Sequence, residues 1–328
     1  ISVTGVQTCA LPILKDKRVS RRRLLALSIL GTAGLWTAST HQFGSRLLRE
    51  LIADSSRDIA IPKHRPTPAQ WDHRGITASW LGHSTVLINF FGLTILTDPV
   101  LLRRVGANLG IGTLGPKRLI APALSIEQLP PVDVVLLSHA HMDHFDVPTL
   151  RCLPAGAQAV TARGTGDLLN RTQISKRIEL GWGQKARLTT AHGMVEVQAF
   201  EVNHWGARWR RDTHRGYNGY VIAREGHRII FGGDTALSTN FKELRRRTPI
   251  DLAIMPIGAY QPWLCSHCTP EQAVRMANDA GAHYFLPVHH QTFPLGRERR
   301  REPMERLETV LAEDRLGWRE VGETFHIA

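Results

Sequence analysis

The segment Leu136-Leu137-Ser138-His139-Ala140-His141-Met142-Asp143-His144 constrains this chain more than any other. It reads H-x-H-x-D-H directly after an apolar, β-branched run that includes Val132, Val134, Val135, Leu136 and Leu137. Three imidazoles and a carboxylate within six residues are costly in a core, because each must be desolvated or paired. The same side chains suit borderline divalent metals, which take imidazole nitrogen and carboxylate oxygen at short range. A strand that stops abruptly at such a loop holds its first ligands rigidly.

Three further elements have the same form. Asn203-His204-Trp205 follows the alternating, strand-like run Met194 to Phe200. Gly232-Gly233-Asp234-Thr235 follows Arg228 to Phe231, and Pro287-Val288-His289-His290 follows His283 to Leu286. Each candidate ligand sits where an apolar run ends, which is where a packed sheet can deliver side chains to one common edge. Alone, His204 or Asp234 reads as a turn residue. Beside the H-x-H-x-D-H loop, each reads as a ligand.

The coarse pattern places these motifs on a layered α/β domain. Ile76 to Leu81 and Val86 to Phe91 flank Gly82-His83-Ser84 as an early hairpin, and Leu93 to Thr97 leads to Asp98. Val132 to Leu137 is a buried strand, and Phe241 to Arg247 reads as a short exposed helix. Thr269-Pro270-Glu271-Gln272 is a helix start with Thr269 as N-cap, Pro270 at N1 and Gln272 completing a capping box; Gly281 stops the helix. Ala273, Met276, Ala277 and Ala280 give that helix one apolar face. With no linker, repeat or low-complexity tract, the trimmed chain of roughly 250–290 residues reads as one domain with ample core.

The order and spacing of Asp98, the His139–His144 loop, His204, Asp234 and His289 resembles the metallo-β-lactamase fold superfamily. Within it, the chain resembles the N-acyl-phosphatidylethanolamine phospholipase D group. That narrower likeness is carried by Leu81-Gly82-His83-Ser84-Thr85-Val86, Leu96-Thr97-Asp98-Pro99, Gly115-Pro116-Lys117-Arg118, Leu129-Pro130-Pro131-Val132-Asp133, Pro256-Ile257-Gly258-Ala259-Tyr260 and Pro270-Glu271-Gln272-Ala273-Val274-Arg275. It runs from about Trp71 to Thr324. The resemblance implies a four-layer αββα sandwich over residues 76–328. It also implies that His139, His141 and His204 hold one metal, that Asp143, His144 and His289 hold a second, and that Asp234 bridges them.

The chemistry of such a set agrees. Two nearby cations repel, so an anionic bridge and a shared hydroxide are needed between them. Water on zinc ionises near pH ~7, which provides a nucleophile without Ser or Cys. Two zinc ions are expected; iron or manganese fits the same donors. Asp143, His267 and Asp98 are the expected catalytic residues. Asp98, at a strand end, suits acceptance of a ligand's free N–H. His267 occupies the place where the related group carries a functional His, to contact a phosphate oxygen or move a proton; the plainer reading is an exposed loop His. Arg208, four residues after His204, is a candidate anion clamp. His83 and Tyr260 either line the substrate pocket or merely pack. The chain departs from the related group at His290-Gln291, where Trp-Gly is usual, so His290 competes as a ligand or reshapes the pocket rim. It departs again at the basic run Arg297 to Arg301, where relatives are often acidic.

The ends and the charge bear on location and partners. Residues 1–13 read as a non-native scar of a sequencing adapter, or else as a flexible leader, and stand outside fold reasoning. Residues 14–40 carry a basic run, Lys15 to Arg23, and then an apolar stretch through Trp36. That stretch is short for a spanning helix but suits a signal peptide or an uncleaved anchor, and Ser20-Arg21-Arg22-Arg23-Leu24 resembles a twin-arginine export signal. The expected location is the periplasm, or the cytoplasmic membrane through the anchor; the alternative is a cytosolic protein with a basic leader. Residues 41–75 form an N-terminal extension. The net charge is +12, of which the leader holds close to half. The clusters Arg208 to Arg215, Arg245 to Arg247 and Arg297 to Arg301 are either solvated faces or attract an anionic membrane surface. Four cysteines make no disulfide scaffold. Cys265-Ser266-His267-Cys268 lacks a second pair for a structural zinc site, leaving a disulfide as the alternative to free thiols.

Three functions compete. The first is a dinuclear phosphodiesterase acting on a phospholipid or a small-molecule phosphodiester. The second is a hydrolase of lactone, ester or β-lactam bonds using the same centre, since fold does not fix function. The third, a nucleic-acid binding or processing protein, has only the basic surface in its favour, with no added binding domain. No sequence feature sets an oligomeric state. The export reading makes one testable statement: residues 14–45 fused to a folded reporter carry it to the cell envelope, and replacing Arg21 and Arg22 by Lys stops this. A reporter that stays cytosolic in both fusions refutes it.

Overall fold

A computed structural model describes Asp54 and residues 57–108, 112–209, 211–245 and 248–327. The expected leader, and all of the expected extension before residue 57 apart from Asp54, lie outside the described residues. The strand-like runs of the sequence become strands because their β-branched and aromatic residues fit a pleated surface buried on both faces. β1 (Ile76–Gly82), β2 (Thr85–Phe90) and β3 (Leu93–Thr97) form an antiparallel meander in which nearly every residue is buried. A small ribbon, β4 (Ala107–Asn108) and β5 (Thr113–Leu114), follows. β6 (Val134–Leu137), β7 (Gln158–Ala162) and β8 (Lys176–Leu180) then add in parallel to β3.

The chain crosses to a second sheet with β9 (Lys185–Thr190), β10 (Gly193–Phe200), β11 (Gly219–Arg224) and β12 (His227–Phe231), all antiparallel neighbours. β13 (Ile250–Pro256) and β14 (Ala282–Val288) extend it in parallel, and β15 (Thr324–Ile327) returns to pair with β1. The sheet orders are β15-β1-β2-β3-β6-β7-β8 and β14-β13-β12-β11-β10-β9.

Period-two alternation decides the layers. Ile229, Phe231, Leu252 and Ile254 join the core that contains Trp80, Ile88 and Leu96 of the first sheet. Their neighbours Ile230, Ala253 and Met255 face the other way, into a second core with the helices. Those helices are α3 (Pro270–Ala280) and α4 (Glu302–Val310), numbered after α1 (Val147–Cys152) and a short turn, α2 (Tyr260–Trp263). Leu150 of α1 and Leu169 of a 3-10 turn pack into the core of the first sheet. The result is the expected helix–sheet–sheet–helix sandwich. Burying one such Leu, Ile or Phe stabilises by about 1.5–3 kcal/mol, so two opposed apolar faces suffice to hold the sheets together.

One element differs from its sequence reading. Residues from Phe241 onward do not make an exposed helix: Asn240–Leu244 is a 3-10 turn with Phe241 and Leu244 buried. Threefold periodicity puts these two on one side, and Phe241 meets Phe200 edge-on at 5.2 Å. Arg246 and Arg247 lie outside the described residues. Among the described residues no helix is long and apolar enough to cross a membrane.

The parallel strands have a functional consequence, because they end together at one rim. Asp98 follows β3, the H-x-H-x-D-H loop follows β6, Asp234 follows β12 and His289 follows β14. α3 begins beside that rim and is closed as the sequence implies: the Gln272 N–H donates to the Thr269 side chain (3.4 Å), the Thr269 N–H donates to Gln272 Oε1 (3.1 Å), and Gly281 takes φ 76°. Thr269→Ala removes the cap and should lower stability by about 1 kcal/mol, measurable as a reduced midpoint in urea unfolding with an unchanged slope.

Candidate metal centre

The His139–His144 loop is anchored by Asp98, a fully buried carboxylate. Its Oδ1 accepts the Ser138 N–H (2.8 Å), and its Oδ2 accepts both the Ser138 hydroxyl (2.5 Å) and His144 Nδ1–H (2.7 Å). Since the Ser138 hydroxyl donates to Asp98, it accepts from His139 Nδ1 at 2.9 Å. On a different loop, His204 Nδ1 donates to the Ser266 carbonyl (2.7 Å). These bonds make Nδ1 the outward-bonded nitrogen of all three rings and leave Nε2 of His139, His144 and His204 as the nitrogen that can face a metal. Gly233 lets Asp234 reach the same point: it takes φ 58°, and a Cβ there would stand 2.8 Å from Ser138 Cβ.

The donors converge in two groups. His139 Nε2 and His204 Nε2 lie 2.8 and 3.2 Å from His141 Nδ1. At most one N–H can lie among these three nitrogens, so a cation is what satisfies all three lone pairs. In the second group, His144 Nε2 and His289 Nε2 each stand 3.6 Å from Asp143 Oδ2, and 3.1 and 3.2 Å from Asp234 Oδ2. A tetrahedral ion with bonds of ~2.0–2.1 Å needs donors about 3.3–3.4 Å apart, and those separations bracket that value. Asp234 Oδ2 is also 3.9 Å from His204 Nε2, so this oxygen lies between the groups. Buried atoms without a hydrogen-bond partner collect here: His141 Nε2, His144 Nε2, Asp234 Oδ1 and both nitrogens of His289. The donor set therefore fits two metal ions, with His139, His141 and His204 around one, Asp143, His144 and His289 around the other, and Asp234 between.

Burial keeps the His139 and His204 imidazoles neutral, well below the ordinary histidine range. Burial opposes ionisation of Asp143 and Asp234, but the surrounding imidazoles, His144 first, hold both well below the usual carboxylate range. His267 closes the site. Its side chain is only 13 % exposed, with Nδ1 3.8 Å from Asp234 Oδ2 and its ring 5.3 and 5.2 Å from those of His204 and His289. Burial pushes its pKa down to about 4. The exposed-loop reading of His267 is thus corrected.

Several other expectations change. Arg208 braces the ligand loop, its Nη1 donating to the carbonyls of Ala140 (3.0 Å) and Phe145 (2.8 Å). Tyr260 packs away from the metal groups, donating to Glu302 Oε1 (2.8 Å) with Arg306 4.9 Å over its ring. His290 joins neither donor group: its buried ring stacks on Trp80 at 4.5 Å, and it lines a cavity next to His289 together with Gln291 and Phe293. His83 is drawn into the centre, with Nε2 3.1 Å from Asp143 Oδ2 and burial pushing its pKa down to about 3. Within the basic clusters, Arg215 is held by Asp167 (2.5 Å) and Asp212 (2.6 Å), and Arg299 pairs with Glu305 at 2.9 Å. Cys265 and Cys268 are free thiols. Ser138 and the Ser266 carbonyl carry no motif of their own. Ser138 could have been suspected from its place directly before His139; the Ser266 carbonyl could not.

A sandwich with a three-histidine group and a histidine–carboxylate group at one rim marks a metal-dependent enzyme, and comparison with known proteins gives the class. The family model described as the beta-lactamase superfamily domain matches residues 94–290. The chain is 33% identical over 270 residues to an uncharacterized protein of Mycobacterium tuberculosis, covering 79% of this chain and 71% of that one. It is 30% identical to the N-acyl-phosphatidylethanolamine-hydrolyzing phospholipase D 1 of Caenorhabditis elegans, covering 77% of this chain and 75% of that one. Its fold superposes on a metallo hydrolase from Ignicoccus hospitalis with a TM-score of 0.57 at 21% identity, covering 77% of this chain and 98% of that one. The chain belongs to the metallo-β-lactamase fold superfamily and is a metal-dependent hydrolase.

If the two groups act as described, purified protein carries about two metal ions per chain. Elemental analysis of His139→Ala should show loss from the first position. Asp98→Ala, which frees Ser138 and His144 together, should weaken metal affinity by about 10–100-fold. A fully active, metal-free preparation would refute the assignment.

Proposed function

We propose that this chain is a zinc-dependent phosphodiesterase of the phospholipase D type, acting on phospholipid headgroups. The observation that carries the reading is His267, an imidazole kept neutral by burial with Nδ1 3.8 Å from Asp234 Oδ2, the oxygen that lies between the two donor groups. A phosphodiester brings two non-bridging oxygens that share one negative charge, and a leaving oxygen, to such a centre, and each needs a cation or a donor. When bound, a metal pair supplies Lewis-acid charge and the means to ionise water near neutral pH.

The rest falls to the protein. Asp98 and Ser138 keep the ligand imidazoles in their donor tautomers. The Ser266 carbonyl orients His204, and the adjacent His267 offers its N–H to a phosphoryl oxygen or to the departing one. An amphipathic substrate suits the mouth of the site. Trp205, whose ring meets His141 at 4.5 Å, is exposed, as are Trp209 on the same loop and Trp263 and Leu264 just before His267. Exposed aromatic side chains of this kind are at home at the boundary of water and lipid. The phospholipase named among the relatives points the same way. An exported or membrane-anchored location would bring such a site to its substrate.

A panel of a bis-aryl phosphodiester, an N-acyl phospholipid, a lactone and a cephalosporin tests the proposal. Zinc-loaded protein should turn over the two phosphodiesters, and His267→Ala should keep both metals while kcat falls by about 10²–10⁴. Turnover of the lactone or cephalosporin alone would replace this reading with acyl-bond hydrolysis. Metal loss in His267→Ala would make that residue a ligand.

A further inference from the structure

His83 stands where a side chain is hard to place. Its φ of 54° lies in the left-handed region, which few residues other than glycine enter and which Asn, Asp and His tolerate best. Three hydrogen bonds hold it there. Its N–H donates to Thr292 Oγ1 (2.7 Å), while its carbonyl accepts Trp80 Nε1–H (2.7 Å) and the His289 N–H (3.0 Å). The same turn therefore fixes both His83 and the backbone of His289, which is itself left-handed at φ 64°. A Cβ on Gly258 would collide with the His289 carbonyl, so the second strap of this turn admits no side chain either.

The ring held by this turn is 1 % exposed and packs 4.2 Å from the His289 ring and 5.1 Å from that of His144, with the edge of Phe293 at 5.4 Å. It borders the second donor group and does not touch the first. Its Nε2 lies 3.1 Å from Asp143 Oδ2. An ionised carboxylate can only accept, so the proton of this bond sits on His83 Nε2 and that nitrogen has no lone pair left for a metal. Asp143 is the donor in most need of such support. It comes from a loop, not a strand end, and of the second group it retains the most exposure, with its side chain 20 % accessible.

We propose that His83 is the positioning residue of the second metal position. Its Nε2–H holds the Asp143 carboxylate in ligating orientation, and it sets the affinity of that position without touching the His139–His141–His204 position. The inference rests on the dinuclear reading of the centre but not on the identity of the substrate. Partners of this kind change metal affinity by about 10–100-fold when removed.

The test is zinc binding to the full chain, read by calorimetry and by elemental analysis after graded chelation, in two variants. His83→Asn suits the left-handed backbone, but its amide nitrogen replaces ring Nδ1 and cannot reach Asp143. It should bind the first ion as the wild type does and the second about 10–100-fold more weakly. His83→Gln carries its amide nitrogen to the place of Nε2 and should restore the second affinity. With cobalt(II) in both positions its absorption bands should match those of the wild type, because no ligand has changed. Wild-type affinity for both ions in His83→Asn would overturn the assignment, as would parallel loss of both or failure of His83→Gln to restore the second. A cobalt spectrum altered in His83→Gln would make His83 a ligand instead. Wild-type chain that binds one ion only removes the second position and this assignment with it. Two ions bound without phosphodiester turnover would count against the proposed substrate alone.

Discussion

A buried carboxylate at the end of the third strand organises this molecule. Asp98 is inaccessible to water and would be costly there without partners. Its partners are the N–H and hydroxyl of Ser138 and the Nδ1 of His144. Those bonds turn the desolvation cost into a geometric instruction. Ser138 must then accept from His139, so two imidazoles are oriented by one carboxylate across the parallel pair β3 and β6. Burial raises the pKa of Asp98, and the bonds from His144 and Ser138 pull against it.

From that anchor the centre is assembled by elements far apart in sequence. The second sheet brings His204, Asp234 and His289, each from the end of a different strand or the loop after it. Asp234 meets histidines from the first-sheet loop and from β14 through one oxygen. Converging lone pairs and carboxylates repel one another, and the packing of two apolar sheets holds them in place. This is ordinary for a metal centre: the core supplies the free energy that keeps the donors close, and the bound cation relieves the repulsion.

The polar residues around the ligands divide by what they brace. Arg208 ties down the loop through the carbonyls of Ala140 and Phe145, which engages its Nη1 inside the protein. Arg215 and Arg299 are similarly engaged with carboxylates. A count of basic residues therefore overstates the field that this chain presents to an anionic partner. The exposed Trp205, whose ring meets that of His141, is the more specific surface feature.

Much of this was legible in the sequence because it follows from local rules. Strand positions came from period-two apolar runs, the start and stop of α3 from Thr269, Pro270, Gln272 and Gly281, and the ligand types from the density of His and Asp at strand ends. The pairing of ligands into two groups came from family resemblance, and the distances between donor atoms agree with it. The sequence could not show where a long side chain ends. Arg208 and Tyr260 sit beside functional residues along the chain, yet their heads turn to a carbonyl pair and to α4. His290 follows a ligand, but the left-handed turn at His289 after β14 leaves its ring against Trp80. His83 and Asp143, sixty residues apart, meet only because the sandwich closes. Residue types and strand ends are written locally. Which side chains share a proton or a lone pair is decided by tertiary packing, since those contacts act over about 3 Å and link residues that the chain order keeps apart.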